Sequence, residues 1–395
     1  MKIAIYANEI PSTVFIENLI KGLAERGHEI YVYGKYKKNP HYEKHRNIHI
    51  LKEPISKIQM VFYALKYIFK FLFTAPKTLI YLLKTSKDKT YLSWIYRFNL
   101  YATIVHLEVA IFHIQWVNSI VYIDTLIENK LAKTVVSLRG THLNVTPLYQ
   151  EECKQSYVRL FPKIDGFHAV SHAIINEAKK YDATVEERAH VAYPAVTDST
   201  LSKFTIAKKR NEGVFKVVSI GRHHWKKGYT YAFDAIKILK DNNIPVEYTI
   251  VAQGTLDERL LHQIKELEIQ DCIIITGGLS HDKVLEKVQK SDVFLLPSLE
   301  EGVANVVLEA MAVGTIVVSS DCGGMLEVIK EGVNGYITKS GYAEQLAESL
   351  LKVYQLNEDE SVKMITNAYE TIVAKHTLNT QLNEMEILYQ NVIQS

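Results

Sequence analysis

The sequence predicts an α/β protein made of two Rossmann-like halves, and three observations carry that expectation. Short runs rich in β-branched and aromatic residues recur along both halves of the chain. Between them lie amphipathic stretches of helical period, long enough to serve as crossovers between parallel strands. An aperiodic stretch, residues 193–213, separates the two halves and reads as a linker. Two such sheets predict a bilobed molecule whose strand carboxyl ends face each other across a cleft, where open parallel sheets hold ligands.

Taken in order, "KIAIYA" predicts the first strand, "TVFIENLIKGLAERG" a helix closed by Gly27, and "HEIYVYG" the second strand. Residues 57–109 read as a helical insert rich in aromatic side chains. Later strands are expected at 110–117, 133–140 and 166–171. In the second half the strands fall at 215–221, 246–254, 272–278, 292–298 and 315–321. Helices between them are expected at Tyr229–Leu239, Asp257–Leu267, Asp282–Gln289 and Val303–Val313. The expected division is residues 1–198, residues 199–376, and a terminal helix, 377–395, packing back on the first domain. No internal repeat or low-complexity tract interrupts this pattern.

Composition narrows the function classes. The chain has 395 residues, 47% hydrophobic and 23% charged, with a formal net charge of +2. A dedicated nucleic-acid binder would be far more basic. Cys153, Cys272 and Cys322 are scattered and odd in number, which fits reduced thiols rather than a disulfide framework. "MKIAIYANEI" reads as a strand rather than a signal peptide, and no uncharged apolar run reaches the roughly 18 residues of a spanning helix. A cytoplasmic location is the expectation, with peripheral contact on the inner face of the membrane as its extension.

The chemistry is concentrated in "LLPSLEEGVANVVLEAMAVGTIVVSSDCGGMLEVI" (295–329). The helix expected at 303–313 is apolar almost all round, so it should be buried. Asn305 and Glu309 interrupt it, four residues apart and on one face. A buried glutamate is costly unless something pairs with it. Glu301 and Gly302 precede the helix, whose free N–H groups and dipole favour an anion. A helical rise from Glu301 to Glu309 would span roughly 12 Å, about the length of a ribose–diphosphate–sugar unit. In "SIGRHHWKKG" (219–228), Arg222 stands at a strand end and Lys227 before a helix. Arg offers a planar fork for phosphate oxygens and Lys a mobile charge. A lone pair of glutamates, or one Arg and one Lys in a loop, would more often be solvated surface; their combination points to a diphosphate site.

Together these residues resemble the large retaining glycosyltransferase family with a GT-B fold that uses nucleotide-diphosphate sugars (glycosyl transferases group 1, family 4). The family pattern "GRL…KG" is matched by Gly221, Arg222, Lys227 and Gly228. Its "PS…EG……EAMA.G.PVV" and "GG..E" are matched by Pro297, Ser298, Glu301, Gly302, Glu309, Ala310, Met311, Ala312, Gly314, Gly323, Gly324 and Glu327. The family's proline after Gly314 is Thr315 here. The resemblance implies that Arg222 and Lys227 bind the donor diphosphate and stabilise the leaving group. It implies that Glu301 contacts the transferred sugar and that Glu309 holds the ribose. N–H groups after Gly302, from Val303 to Asn305, would touch sugar or phosphate, and Ser280 would lie beside the base. It implies a UDP- or GDP-sugar donor, a retaining transfer and no cofactor. No D-x-D stands at a strand end and the histidines have no metal-ligand spacing, so no divalent metal is expected.

In the first half, "NEIPSTVFIENLIKGLAERGHE" is similar to the opening of a subgroup that builds bacterial surface polysaccharides of the colanic-acid or capsule type. Thr13 and Val14 replace its usual Glu and Thr, and its glycine pair after the first strand is absent. The resemblance implies cleft or acceptor contacts for His113, Trp116, Arg139, Gly140 and Ser171. Arg139 replaces the family's usual histidine and His142 its acid. His168 and His172 read as structural. The implied acceptor is a saccharide or a polyprenyl-diphosphate-linked saccharide. A GT-B epimerase or hydrolase and an inactive membrane-surface scaffold are the competing readings; a phosphorylase would need a pyridoxal-phosphate lysine motif, and none stands here.

The stretch Tyr63–Lys84 is very apolar yet carries Lys66, Lys70, Lys77 and Lys84. Lysines at these depths exclude a spanning helix. Pro76 is expected to split the stretch into two helices, which fall in with Lys57, Lys87, Lys89 and Arg97 as a basic neighbourhood. Two readings stay open: helices covering the sheet, or a basic, aromatic surface resting on anionic lipid.

Overall fold

The computed structural model describes residues 1–88, 90–206 and 213–395. Two compact units emerge, each built on one parallel sheet. The first comprises 1–170, 174–192 and 382–395; the second comprises 171–173 and 193–381. The division after Ala192 lies a few residues before the expected 198. Val196 accounts for the difference: it forms a parallel bridge with Thr377, so this part of the expected linker is held by the second unit. Residues 207–212 of that linker, and Lys89, lie outside the described residues.

The first sheet has seven parallel strands: β1 (Lys2–Ile10), β2 (Glu29–Tyr36), β3 (Ile48–Lys52), β4 (Ile111–Ile114), β5 (Thr134–Leu138), β6 (Gly166–Ala169) and β7 (Ala189–Val191). Their order is β3-β2-β1-β4-β5-β6-β7. The second sheet has six: β8 (Phe215–Ile220), β9 (Val246–Val251), β10 (Ile273–Thr276), β11 (Val293–Leu296), β12 (Ile316–Ser320) and β13 (Tyr336–Thr338). Their order is β10-β9-β8-β11-β12-β13. In each sheet the strand order reverses beside the first strand, between β1 and β4 and between β8 and β11. Those reversals are the switch points at which doubly wound sheets open a crevice at the strand carboxyl ends. Strands β4, β5, β6 and β11 are buried at every position, as expected of parallel strands covered on both faces.

Helix α1 (Val14–Glu25) packs Ile16, Leu19, Ile20 and Leu23 inward. The insert folds as α2 (Lys57–Thr74), α3 (Pro76–Thr85) and α4 (Tyr91–Leu107). Pro76 opens α3 at its first turn, where its missing N–H costs nothing. The inward side chains Ala64, Tyr67, Phe71, Leu79 and Leu82 join the core of the first unit, so the insert does cover the sheet. Arg97 leaves the expected basic neighbourhood: its guanidinium pairs with Asp88 (3.1 Å) and Asp124 (2.6 Å).

The helix Leu378–Gln394 lays its residues from Leu382 onward on the first unit. Glu386 pairs with Arg26 and His28 (2.7 Å each), and Glu384 with His190 (2.6 Å). Gly22 and Gly166 make room for it: a Cβ at Gly22 would lie 2.6 Å from Leu382, and one at Gly166 2.4 Å from Val392.

Candidate functional site

The second unit gathers the expected donor residues at its switch point. After β8 the chain runs through Gly221 and exposed Arg222 into a short 3-10 turn, Trp225–Lys227, before the helix Tyr229–Asp241. After β11 it runs through Pro297 and Ser298 to Glu301. The two loops are clamped together. Leu299 N–H donates to the Lys226 carbonyl (2.7 Å). Gly228 has φ +64°, and a Cβ there would fall 1.9 Å from the Pro297 carbonyl oxygen. Only glycine allows that approach. The Lys227 stem lies over Gly221, where a Cβ would meet its Cε at 3.0 Å, and the Tyr229 hydroxyl donates to the Gly221 carbonyl (3.1 Å).

This clamp brings the Lys227 ammonium to the Glu301 carboxylate at 2.5 Å, both largely buried. Ser298 Oγ donates to the same carboxylate oxygen at 3.1 Å. Burial pulls the neighbouring Lys226 ammonium down from its usual range, and Glu301 partly offsets it. Burial also raises the Tyr229 phenol, with Glu301 adding to the rise. The pair of glycines follows beneath. Gly323, at φ +59°, would place a Cβ 2.1 Å from the Glu301 carbonyl, and Gly324 N–H donates to the Gly302 carbonyl at 2.5 Å. The turn thus supports the Glu301–Gly302 loop from below.

The helix begins at Asn305, not at Val303 as the sequence suggests. Ala304 is extended, and its N–H is taken by Met325 Sδ at 3.5 Å, so the first helical turn starts later. Glu301 and Glu309 are therefore not eight helical residues apart, and the 12 Å spacing estimated from a continuous helix does not apply. Gly302 and Val303 belong to the loop leading to the helix N-terminus. Asn305 Oδ1 is buried with no hydrogen-bond partner. Both ring nitrogens of His223, beside Arg222, are also buried without a partner. His223 was not singled out by the sequence, where one histidine in "GRHHW" carries no distinguishing signal.

Glu309 lies in the second turn and accepts from His281 Nε2 at 3.0 Å. That bond raises the His281 pKa. Ser280, exposed, precedes the helix His281–Gln289 without capping it. Glu327 takes a structural part. Its carboxylate accepts the N–H groups of His172 (2.9 Å) and Ala173 (2.8 Å) and the Tyr193 hydroxyl (2.9 Å). Ser171 is fully buried against the glycine turn, since a Cβ on Gly324 would meet its Cβ at 2.6 Å.

In the first unit, Trp116, Arg139 and Gly140 stand near the ends of β4 and β5. Trp116 is edge-on to Phe15 and His142. The Arg139 guanidinium sits 4.5 Å from the Phe15 ring centroid and donates to Gln115 at 3.1 Å. Burial lowers its pKa to about 9, which still leaves it charged at neutral pH. Gly140 opens the short helix Gly140–Asn144.

His113 does not share this position. It is fully buried, with Nδ1 2.7 Å from the Tyr389 hydroxyl and Nε2 2.8 Å from Ser137 Oγ. Ser137 in turn meets His168 Nδ1 at 2.8 Å, and His168 Nε2 donates to the Ala192 carbonyl at 3.0 Å. Each bond is satisfied if both imidazoles are neutral with the proton on Nε2. Burial agrees, holding His113 well below its ordinary pKa and His168 at about 3. His113 is thus a core residue, and the acceptor contact expected of it is withdrawn.

A cavity of about 540 Å³ opens over the carboxyl ends of β1, β2 and β3. Tyr6, Asn8, Lys35, Glu53, Tyr96 and Ser119 are among its lining residues. Asn8 has φ +63° at a register slip in the β1–β2 pairing, which turns the strand end. The Tyr6 and Tyr96 hydroxyls are 3.2 Å apart. Glu53 is buried, and desolvation raises its pKa, against the pull of Lys35 and a bond from Tyr96. The sequence did not single out this pocket, because Glu53 follows a five-residue strand that was not foreseen.

Among the described residues, no group of three or more His, Cys, Asp or Glu is placed to hold a metal ion. Cys153, Cys272 and Cys322 are free and buried.

Fold and site define the class: two Rossmann-like units of the GT-B type. Residues 202–371 match the family "Glycosyl transferases group 1". The amylovoran biosynthesis glycosyltransferase AmsK of Erwinia amylovora is 34% identical over 179 residues, 43% of this chain and 44% of that protein. The chain therefore matches less than half the length of this curated relative. Two solved structures share the whole fold. A glycosyltransferase from Rickettsia africae superposes with TM-score 0.74 at 16% identity, covering 100% of this chain and 99% of the other. Anabaena HepE, solved in complex with UDP, gives TM-score 0.70 at 16% identity, covering 99% of this chain and 100% of the other.

Proposed function

We propose that the protein is a glycosyltransferase of bacterial surface-polysaccharide synthesis. It moves a sugar from a UDP- or GDP-sugar to a saccharide or lipid-linked saccharide, with retention of configuration and without a divalent metal. The observation that carries this reading is the convergence of Arg222, Lys227, Glu301 and the N-terminus of the helix Asn305–Val313 at the β8/β11 switch point. The partnerless polar atoms of His223 and Asn305 add hydrogen-bonding capacity beside it. The amylovoran relative and the UDP complex of HepE point to the same chemistry.

Arg222 and the Lys227 ammonium would neutralise the diphosphate as it leaves, together with the helix dipole. Glu301 and Lys227 hold each other in place; when Lys227 turns to phosphate, Glu301 is released to accept from a sugar hydroxyl. Glu309 would accept from the ribose hydroxyls. The cavity at Glu53 would receive the acceptor, its carboxylate and the Tyr6 and Tyr96 hydroxyls ordering a polar group at the strand ends.

The test is a thermal-shift screen of UDP- and GDP-sugars, followed by turnover on saccharide and lipid-linked acceptors. A Glu301→Gln variant should keep its fold and lose about 100-fold or more in turnover. Full activity in that variant would remove Glu301 from the chemistry. Failure of every UDP- and GDP-sugar to stabilise the protein would overturn the donor-site reading, and hydrolysis with no acceptor dependence would favour a hydrolase or epimerase.

A further inference from the structure

Helix α2 has two apolar faces, and one of them is left exposed. Ala64, Tyr67 and Phe71 turn inward. Outward point Ile58, Phe62, Leu65, Phe69, Leu72 and Phe73, between 52% and 82% exposed. At about 100° per residue these six fall within roughly 60° of one line along the helix. Lys66 and Lys70 follow along one edge of that stripe, at roughly 80° and 120° from its centre. In α3 the same arrangement recurs, with Lys77, Ile80, Tyr81 and Lys84 exposed and Leu79 and Leu82 buried. A soluble surface rarely leaves so large a contiguous apolar patch uncovered.

The charge carried by these two helices has one sign. From residue 57 to residue 87 the sequence contains six lysines and no acidic residue. Such a face is poorly suited to a second copy of itself, because an isologous contact would set these lysines against one another. No described helix is long and apolar enough to cross a membrane. An apolar stripe bordered by lysines is the arrangement that lies in a lipid–water interface, with hydrocarbon side chains below the headgroups and ammonium groups among the phosphates.

We propose that the outward faces of α2 and α3 dock on an anionic lipid bilayer. The aromatic and aliphatic side chains supply the insertion, and Lys66, Lys70, Lys77 and Lys84 supply the preference for negative lipid. The stretch thus fills both roles open in its sequence, one face in the core and the other on lipid. The surface does not depend on the transferase reading, since vesicle binding is measured without donor or acceptor.

Flotation with vesicles of phosphatidylcholine alone, and with phosphatidylglycerol added, tests the proposal on the full chain. The wild type should bind only the mixed vesicles. Reversal of three lysines (K66E, K77E, K84E) should lower binding about 100-fold or more, at a fivefold loss per lysine. Lys70 is left in place because it donates to His106. A second variant, Phe62→Ser, Leu65→Ser, Phe69→Ser, should lose binding to the mixed vesicles while keeping the melting temperature of the wild type, these side chains being exposed. Equal binding to both vesicle types, or binding unchanged by lysine reversal, would overturn the proposal. So would a dimer in light scattering that the serine variant disperses, since the face would then be an interface between copies.

Discussion

Gly228→Ala isolates what the clamp between the loops after β8 and β11 contributes. Position 228 combines a left-handed backbone with a carbonyl wall: its φ is +64°, and an added Cβ would lie 1.9 Å from the Pro297 oxygen. That is about 1.5 Å short of ordinary contact, so the loops must part by about that distance. Two glycines of the same unit separate the contributions. Gly254 has φ +90° with nothing within 4 Å of a Cβ, and Gly277 has neither constraint. Gly254→Ala should cost about 1–2 kcal/mol from backbone strain alone, and Gly277→Ala close to nothing. Gly228→Ala should cost at least about 1 kcal/mol more than Gly254→Ala, through the lost Leu299–Lys226 hydrogen bond and the displaced loop. The larger effect is on function. Lys227 and Glu301 sit on opposite sides of the parted contact, and a misplacement of about 1 Å can cost about 100-fold in rate. Urea denaturation of the three variants, with UDP and GDP affinity by calorimetry and turnover on the same samples, measures both effects. A Gly228→Ala protein as stable as Gly254→Ala, with unchanged nucleotide affinity and turnover, would refute the clamp.

Two further predictions concern protons. Three histidines are held neutral by burial: His113 well below its ordinary value, His168 at about 3 and His376 at about 4. Their folded pKa values lie below the unfolded one, so the unfolded chain takes up protons first as pH falls. Stability is full above about pH 6.5 and should fall by about 1.4 kcal/mol per pH unit per histidine on the way down towards pH 4. Urea midpoints from pH 7.5 to 4.5 measure this, and a flat profile would contradict the buried network. His281 behaves oppositely, its pKa raised by Glu309. If ribose hydroxyls engage Glu309, saturating UDP should lower the His281 pKa, and Glu309→Gln should lower it without ligand while weakening UDP binding about tenfold. Histidine resonances followed by NMR give the answer, and a His281 pKa unmoved by UDP would remove Glu309 from the ribose site.

Much of the fold was legible in local pattern. Alternating strands and amphipathic helices determined two parallel sheets, because side-chain period and crossover length are properties of neighbouring residues. Pro76 determined the break between α2 and α3 for the same reason, and the paired motifs around Arg222 and Glu301 determined where the proposed donor site lies. Strands β3, β7 and β13 escaped because three to five residues carry too little periodicity and gain their pairing from partners distant in the chain. Only the tertiary structure decided that His113 is a core residue, since its fate rests on Tyr389, 276 positions away. Only packing decided that Glu327 holds the backbone at His172, that Arg97 is neutralised by two aspartates, and that Glu53 lines a pocket. The lysines of α2 and α3 show the division most directly. Their spacing was plain in the sequence, but the uncovered apolar face beside them was not. Exposure is decided by what folds against a helix, and no local period records it.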